Sequence, residues 1–174
     1  MLVQSPFSKT APAAARAQRD VFLMPGEYFV GSQENRVRTI LGSCVAVTLW
    51  HPRLRLGAMS HSVLHAREAQ GAQGIRGLCA NYCSEALELM FAALARKGGA
   101  PHECVAKIFG GGSMFPNWTS RQIGGIGQRN GETARQHLKA RGVRIAAESL
   151  YGDGHQSIVF DVATGDVWVR RGAA

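Results

Sequence analysis

The clearest pattern in this chain is an alternation of apolar and polar positions between residues 36 and 65, which is typical of β-strands. The segments RVRTILGSCVAVTLWHP and LRLGAMSHSVLH meet near His51 and Pro52, so we expect two strands joined by a short turn. Gly42 and Ser43 interrupt the first segment, as glycine does where a backbone bends or approaches a ligand closely. The thiol of Cys44 should therefore lie beside a bend, with His61 on the neighbouring strand.

Two helices are predicted from apolar residues spaced three or four apart. The first should run over Asn81–Arg96, with Asn81 as its N-cap and Gly98 just after its end. The second should run from about Asn130 to Arg141 and end at Gly142.

Short β-type runs fill most of the remaining chain: CVAKIF, VRIAAE, QSIVFDV and DVWVR. The letters ATG between the last two runs indicate a hairpin. The glycine-rich stretch that begins with GGGSMF predicts turns and a flexible loop, and it matches neither a P-loop nor a dinucleotide fingerprint.

These elements predict an α+β fold, a single compact domain with a β-rich centre and two main helices. Residues 1–20 mix Ala, Ser, Pro, Gln and Arg without an apolar period, so we expect a flexible N-terminal arm there. The domain itself should span residues 21–174.

Composition places the chain among soluble globular proteins, with 45% apolar and 18% charged residues in a length of 174. It has neither an apolar run of about 20 residues nor a secretory signal, so we expect a cytoplasmic protein without membrane insertion. Its net charge of +8 favours encounters with acidic partners. Nucleic acid is not expected as a partner, because no RNA- or DNA-binding signature accompanies the charge.

The four cysteines should be reduced thiols in that compartment. Cys79, Cys83 and Cys104 suggest a metal site but lack a fourth ligand at a familiar spacing, and His61 with His65 lacks the glutamate of the HExxH pattern. We therefore expect no metal.

A thiol is a nucleophile only as a thiolate, so a catalytic cysteine needs a base nearby. Cys44 and His61 form the best such pair, and the hydroxyl of Thr39 is a candidate for orienting the other ring nitrogen. The residues alone leave a second interpretation open, because a cysteine on a valine-rich strand is commonly a core residue.

Several segments together resemble one family. FLMPGEYFV, TILGSCVAVTLWHP, GAMSHSVL, KIFGGGSMF, IGQRN and VRIAAESL followed by FDVATGDVWVR are similar to the CheD family of chemoreceptor glutamine deamidases. The similarity spans roughly residues 21–170, with the motifs in the family's order. The segment YGDGHQS departs from the family's pattern.

The resemblance implies a fold similar to the catalytic domain of cytotoxic necrotizing factors. It also implies a protein-glutamine deamidase without a cofactor, acting on methyl-accepting chemotaxis receptors, with Cys44 as nucleophile, His61 as base and Thr39 as third member. Ser43 is the alternative local hydroxyl, and the bend at residues 42–44 is the expected source of oxyanion donors.

A CheC-type chemotaxis phosphatase is a further partner that the resemblance implies. The alternative function is therefore a non-catalytic docking partner and regulator of such a phosphatase. We expect the isolated chain to be a monomer.

Overall fold

The computed structural model describes residues 2–3, 18–67, 77–113 and 125–172. Within these ranges, strands form two five-stranded sheets, and two helices cover the outer face of the second sheet. The first sheet has the order β1 (Leu2–Val3), β10 (Val167–Arg171), β9 (Gln156–Asp161), β4 (Asn35–Leu41) and β2 (Arg19–Phe22). The second has the order β3 (Tyr28–Ser32), β6 (Leu56–Ser60), β5 (Val45–His51), β7 (Val105–Gly110) and β8 (Arg144–Leu150). The helices are α1 (Cys83–Ala95) and α2 (Ile126–Ala140), and a 3-10 turn covers Pro101–Glu103.

The central strand β5 is apolar at nearly every position. Val45, Val47 and Leu49 belong to the core between the second sheet and the helices, whereas Ala46 belongs to the core between the two sheets. Both faces of β5 are thus covered, and a strand covered on both faces reads as a nearly continuous apolar run. The molecule has three layers in the order sheet, sheet, helices.

The predicted α+β fold with two main helices is confirmed. The two strands that meet near His51 and Pro52 form the antiparallel hairpin β5–β6. The letters ATG lie in the turn between the antiparallel strands β9 and β10. The parallel pairs are β2 with β4 and β7 with β8.

The interruption at Gly42 is a crossing between the two sheets, whereas the sequence predicted a bend within one strand. Its first half, β4, pairs with β2 and β9 of the first sheet, and its second half, β5, pairs with β6 and β7 of the second. The link at residues 42–44 therefore crosses from one sheet to the other. Alternation reveals which residues face a core, but it does not reveal which strands become neighbours.

The predicted N-cap of the first helix is wrong. Helix α1 has Tyr82 at its N-cap, without a side-chain capping bond. The carbonyl of Asn81 instead accepts hydrogen bonds from the backbone N–H groups of Val63 and Leu64, both at 2.9 Å. Tertiary contacts of the preceding loop thus decide how this helix begins.

Helix α2 begins four residues earlier than predicted, at Ile126. The sequence did not predict its first turn, because Gly127 and Gly131 lower the helix propensity of this segment. A methyl group at Gly127 would lie 2.5 Å from the Gly111 carbonyl oxygen, so this glycine permits close packing. Neither helix in the described part of the chain is long and apolar enough to cross a membrane.

Part of the predicted N-terminal arm lies outside the described residues, namely 1 and 4–17. Leu2–Val3 pairs with β10, and Arg19 and Asp20 are the first residues of β2. The flexible arm and the domain boundary at residue 21 stay predictions.

Gly57 offers a test of the packing between the two sheets. A methyl group there would lie 2.8 Å from both Phe160 Cε1 and Val162 Cγ1, which are buried and cannot move freely. We expect Gly57→Ala to lower the free energy of unfolding by about 1–3 kcal/mol, because overpacking forces neighbours out of their preferred positions. Denaturant unfolding measures the change.

Gly98→Ala is the control for Gly57→Ala. Gly98 has φ +83° and open space around the added methyl group, so only backbone strain is introduced. We expect it to cost about 1–2 kcal/mol, the strain of a side chain in the left-handed conformation. A Gly57→Ala chain as stable as the wild type would contradict the tight packing of the sheets.

Candidate active site

Of the three residues singled out from the sequence, Thr39 and His61 are hydrogen-bonded to each other, and the strand register brings Cys44 near them. Thr39 is buried in β4, Cys44 is partly buried just before β5, and His61 is buried directly after β6. Thr39 belongs to a strand of the first sheet and His61 follows a strand of the second, so neither sheet alone contains the group.

The register between β5 and β6 sets the relation of Cys44 to His61. Val45 and Ser62 exchange backbone hydrogen bonds of 3.0 and 2.8 Å. This pairing puts Ala46 opposite His61 and places Cys44 diagonally from it on the same face, because side chains alternate along a strand. Diagonal neighbours are about 7–8 Å apart at their Cα atoms, within the reach of an imidazole.

The hydrogen bonds of Thr39 determine which nitrogen of His61 carries the proton. The Thr39 hydroxyl lies 2.7 Å from the Leu23 carbonyl oxygen and 2.8 Å from His61 Nδ1. A carbonyl oxygen only accepts, so the hydroxyl donates to Leu23 and accepts from His61 Nδ1–H. Nε2 is then left unprotonated, which is the form a general base needs.

The backbone of His61 is held by the segment that follows β2. Its N–H donates to the Glu27 carbonyl at 2.9 Å, and its carbonyl accepts from Gly26 N–H at 2.8 Å. Gly26 has φ +82°, and a methyl group there would lie 2.2 Å from Asn81 Oδ1. Only glycine fits this position without rearrangement.

Burial controls the charge state of the two reactive groups. It raises the pKa of the Cys44 thiol above the ordinary 9.0, although the residue's own backbone N–H partly opposes the shift. It lowers the pKa of His61 below 6.5, against the opposing influence of the Leu23 carbonyl and the Glu27 carboxylate. At neutral pH the site therefore holds a thiol and a neutral imidazole.

Three consecutive glycines fix the loop that carries Cys44. Gly111 N–H donates to the Cys44 carbonyl and Gly112 N–H to the Gly42 carbonyl, both at 2.8 Å. Gly110 has φ +100°, and a methyl group there would lie 2.2 Å from the Cys44 carbonyl oxygen. The amides of Gly111 and Gly112 thus hold the segment that carries Cys44. Residues 114–124 of the glycine-rich stretch lie outside the described part, and its flexibility stays a prediction.

The bend also provides candidate oxyanion donors. Within the described part of the chain, no backbone carbonyl accepts a hydrogen bond from the N–H groups of Ser43 or Cys44. Both amides adjoin the thiol and are available to a developing oxyanion. Ser43 was the alternative hydroxyl for orienting His61, but the hydroxyl that bonds to His61 Nδ1 is that of Thr39.

Sequence reasoning missed Asn130 in the motif IGQRN. Asn130 is fully buried in α2, and its Nδ2 donates to the Val63 carbonyl at 2.9 Å. One turn earlier, Gly127 packs against Gly111. Helix α2 therefore supports both the segment after His61 and the glycine amides that hold Cys44. The only signal for this in the sequence was the polar residue Asn130 within a motif of the family.

The other cysteines have no place in this group. Burial raises the pKa of Cys83 to about 12 and that of Cys104 to about 11, where Glu103 adds to the shift. All four cysteines are free thiols. Among the described residues, no three His, Cys, Asp or Glu side chains are grouped to hold a metal ion.

Comparison with protein families identifies the chain's relatives. A model of the family described as CheD chemotactic sensory transduction matches residues 66–171. A relative from Albidiferax ferrireducens is 50% identical over 149 residues, or 86% of this chain and 85% of the relative.

This chain belongs to the CheD family. The resemblance drawn from the motifs is thereby confirmed. The Albidiferax relative bears the name "Probable chemoreceptor glutamine deamidase CheD 2". A relative from Dechloromonas aromatica, named "Probable chemoreceptor glutamine deamidase CheD 3", is 41% identical over 90% of both chains.

The family model covers β7 to β10 and both helices but not the three candidate residues, which lie before residue 66. The Albidiferax match is longer. A continuous match over 149 of the 174 residues begins no later than residue 26 and so includes Thr39, Cys44 and His61.

Two solved structures show weak likeness to this CheD-family chain. A Neisseria meningitidis protein of the DUF152 family has a TM-score of 0.45 at 14% identity, over 86% of this chain and 73% of that one. YfiH from Bacillus licheniformis has a TM-score of 0.45 at 13% identity, over 84% and 72%. Similarity at this level carries no argument, and the expected likeness to cytotoxic necrotizing factors stays a prediction.

The tautomer of His61 is directly testable by 15N NMR. We expect Nδ1 to be protonated and Nε2 unprotonated at pH 8, because the Thr39 hydroxyl accepts from Nδ1–H. Thr39→Val removes that acceptor and should allow a mixture of tautomers, whereas Thr39→Ser should retain the wild-type pattern. A wild-type ring protonated at Nε2 would contradict this hydrogen-bond assignment.

Proposed function

We propose that this protein deamidates specific glutamine side chains of chemoreceptors, with Cys44 as nucleophile, His61 as general base and Thr39 as the residue that orients His61. The observation that carries the proposal is the hydrogen-bond chain from the Leu23 carbonyl through Thr39 to His61 Nδ1, which leaves Nε2 free to accept a proton. The names of the relatives, which are given as chemoreceptor glutamine deamidases, supply the substrate class.

The first half of the reaction transfers the acyl group of glutamine to the enzyme. His61 Nε2 takes the Cys44 proton as the sulfur attacks the side-chain carbonyl carbon of glutamine. The oxyanion that forms receives hydrogen bonds from the backbone N–H groups of Ser43 and Cys44. The imidazolium then protonates the nitrogen, the C–N bond breaks, and ammonia leaves a thioester on Cys44.

The second half returns the enzyme to its starting state. A water molecule loses a proton to His61 Nε2 and attacks the thioester carbonyl carbon. The C–S bond breaks, the sulfur regains the proton from His61, and glutamate is released. The sequence of steps uses only the thiol, the imidazole and water.

The resting charge state supports a concerted role for His61. A neutral thiol next to a neutral imidazole avoids a buried ion pair before substrate arrives. The charges form only during attack, when the oxyanion and its donors are present. Glu27 then favours the imidazolium, since its carboxylate raises the pKa of His61.

The alternative, a docking partner of a CheC-type phosphatase, is not favoured, because the relatives bear the names of deamidases. A CheC-type partner, a monomeric state and a cytoplasmic location stay predictions. Cys44→Ala separates the two functions, since docking alone would survive the loss of the thiol.

Mass spectrometry of chemoreceptor cytoplasmic fragments tests the function directly. We expect the wild type to convert glutamine to glutamate, and Cys44→Ala to convert none. His61→Gln should lower kcat by roughly 10²–10⁴, the usual contribution of a general base. The kcat of Thr39→Val should lie between those of the wild type and His61→Gln. Thr39→Ser is its matched control. Absence of conversion by the wild type across several receptors would overturn the proposal.

The dependence of kcat/KM on pH tests the charge state. The base must be neutral, so activity is lost as the pH falls through the pKa of His61 in the free enzyme. Burial lowers that pKa, so we expect the midpoint of the acid limb to lie below 6.5.

Glu27→Gln provides a second test of the pH profile. Removing its carboxylate should move the acid limb to still lower pH, because this charge raises the pKa of His61. A wild-type midpoint above 6.5 would contradict a His61 pKa lowered by burial.

A further inference from the structure

Tyr151 has an unusual backbone conformation close to the segment that carries Cys44. Its φ of +65° lies in the left-handed region, which only Arg55 shares among the non-glycine residues that the structure describes. A residue with a side chain is strained there, because its Cβ atom comes too close to the following carbonyl oxygen. Such strain persists only where the surroundings impose it, and it clusters at functional sites. Tyr151 is therefore a candidate for a role in the neighbouring site.

One peptide group connects Tyr151 to Cys44. The backbone N–H of Tyr151 donates to the Gly110 carbonyl, and the N–H of Gly111 donates to the Cys44 carbonyl, both at 2.8 Å. The Gly110 carbonyl and the Gly111 N–H belong to the same planar peptide group, in which they point in opposite directions. Tyr151 and Cys44 therefore hold the two sides of a single rigid unit.

This peptide group has little resistance to rotation of its own. Both flanking residues are glycines, with φ of +100° at Gly110 and +65° at Gly111. Without side chains, glycines reach several backbone conformations at similar cost. The direction in which the group points is thus set by its hydrogen-bond partners. If the N–H of Tyr151 were displaced, the Gly111 N–H would be free to turn away from Cys44.

The side chain of Tyr151 keeps its backbone in place. The ring lies against the glycine segment, since a methyl group at Gly111 would lie 3.3 Å from Tyr151 Cδ1. The hydroxyl lies close to α2, where a methyl group at Gly131 would lie 2.7 Å from it. This hydroxyl accepts a hydrogen bond from Arg135 Nη1 at 3.2 Å, and the Arg135 guanidinium lies 5.6 Å from the ring centre. The Glu148 carboxylate holds the guanidinium in turn, with Nη2 donating to it at 2.7 Å.

The Cys44 carbonyl is an anchor directly beside the thiol. It belongs to the peptide group between Cys44 and Val45, whose N–H donates to the Ser62 carbonyl at 3.0 Å. With both sides of that group held, the Cα atom of Cys44 has a fixed place relative to His61, which precedes Ser62. Nucleophilic attack requires reacting atoms within about 3–3.5 Å in the right direction, and a misplacement of about 1 Å lowers the rate by about 100-fold.

We propose that Tyr151 is a positioning residue for Cys44. Its side chain holds its backbone in the left-handed conformation, and its N–H holds the peptide group between Gly110 and Gly111 in the direction that fixes the Cys44 carbonyl. The inference rests on the proposed role of Cys44 as nucleophile and adds a residue that acts on it through the backbone.

Tyr151→Gly tests the role of the side chain. Glycine accepts φ +65° and keeps the N–H, but it removes the ring that holds the backbone in place. We expect kcat for a chemoreceptor fragment to fall about 10- to 100-fold, with KM close to the wild-type value. The acid limb of the pH profile reports His61 and should stay in place. Tyr151→Phe keeps the ring and should recover most of the activity.

Arg55→Gly is the matched control. Arg55 has φ +49°, so glycine relieves the same kind of strain there. It lies in the turn between β5 and β6, at the end of β5 opposite to Cys44, and its replacement should leave kcat at the wild-type value. A Tyr151→Gly chain with wild-type kcat would overturn the inference.

Hydrogen exchange at single amides separates positioning from a general loss of structure, and it requires no turnover. In Tyr151→Gly we expect the Gly111 amide to exchange roughly tenfold faster than in the wild type, whereas the amides of α1 keep their protection. Parallel loss of protection at Gly111 and in α1 would overturn the inference, because the variant would then act on the whole fold. Unchanged exchange at Gly111 would overturn it as well.

The two proposals fail in distinguishable ways. If the wild type deamidates no receptor fragment, the proposed function fails, and exchange at the Gly111 amide still decides whether Tyr151 holds the segment of Cys44. If the wild type is active and Tyr151→Gly retains its kcat, only the role of Tyr151 fails.

Discussion

A single buried hydroxyl group, that of Thr39, connects the two sheets at the candidate active site. It is held from the first sheet's side by the Leu23 carbonyl and meets His61, which follows a strand of the second sheet. Because the carbonyl takes the hydroxyl's only proton, the imidazole must donate to it and keep its other nitrogen bare. The chemistry of the site therefore depends on how the two sheets are packed, and the tight contacts around Gly57 maintain that packing.

The same packing explains why the reactive groups are neutral at rest. Cys44 and His61 lie at the end of an apolar core, and removal from water disfavours the charged form of each. A site built this way has little thiolate until a substrate carbonyl and its oxyanion donors are in place.

Glycines make this end of the molecule possible. Gly110 allows the backbone to pass within contact of the Cys44 carbonyl, Gly26 allows the turn that holds His61, and Gly127 lets α2 approach Gly111. In each case a side chain would collide with a neighbouring group. The segment YGDGHQS, which departs from the family's pattern, joins the same arrangement, since Tyr151 N–H donates to the Gly110 carbonyl and Gly112 faces the Gly154 carbonyl.

The sequence by itself determined most of the strands after residue 36, the two helices and the hairpin at His51–Pro52, because alternation, helical spacing and turn residues are local properties. It also selected Cys44 and His61 as the candidate thiol and imidazole. Motif resemblance supplied the family and strengthened the candidacy of Thr39. Only the tertiary structure decided that β4 and β5 belong to different sheets, that Asn81 bonds to a loop and does not cap α1, and that Asn130 and Gly127 support the site. These features depend on which distant segments meet, and that is set by the burial of whole layers against one another, which no local pattern records.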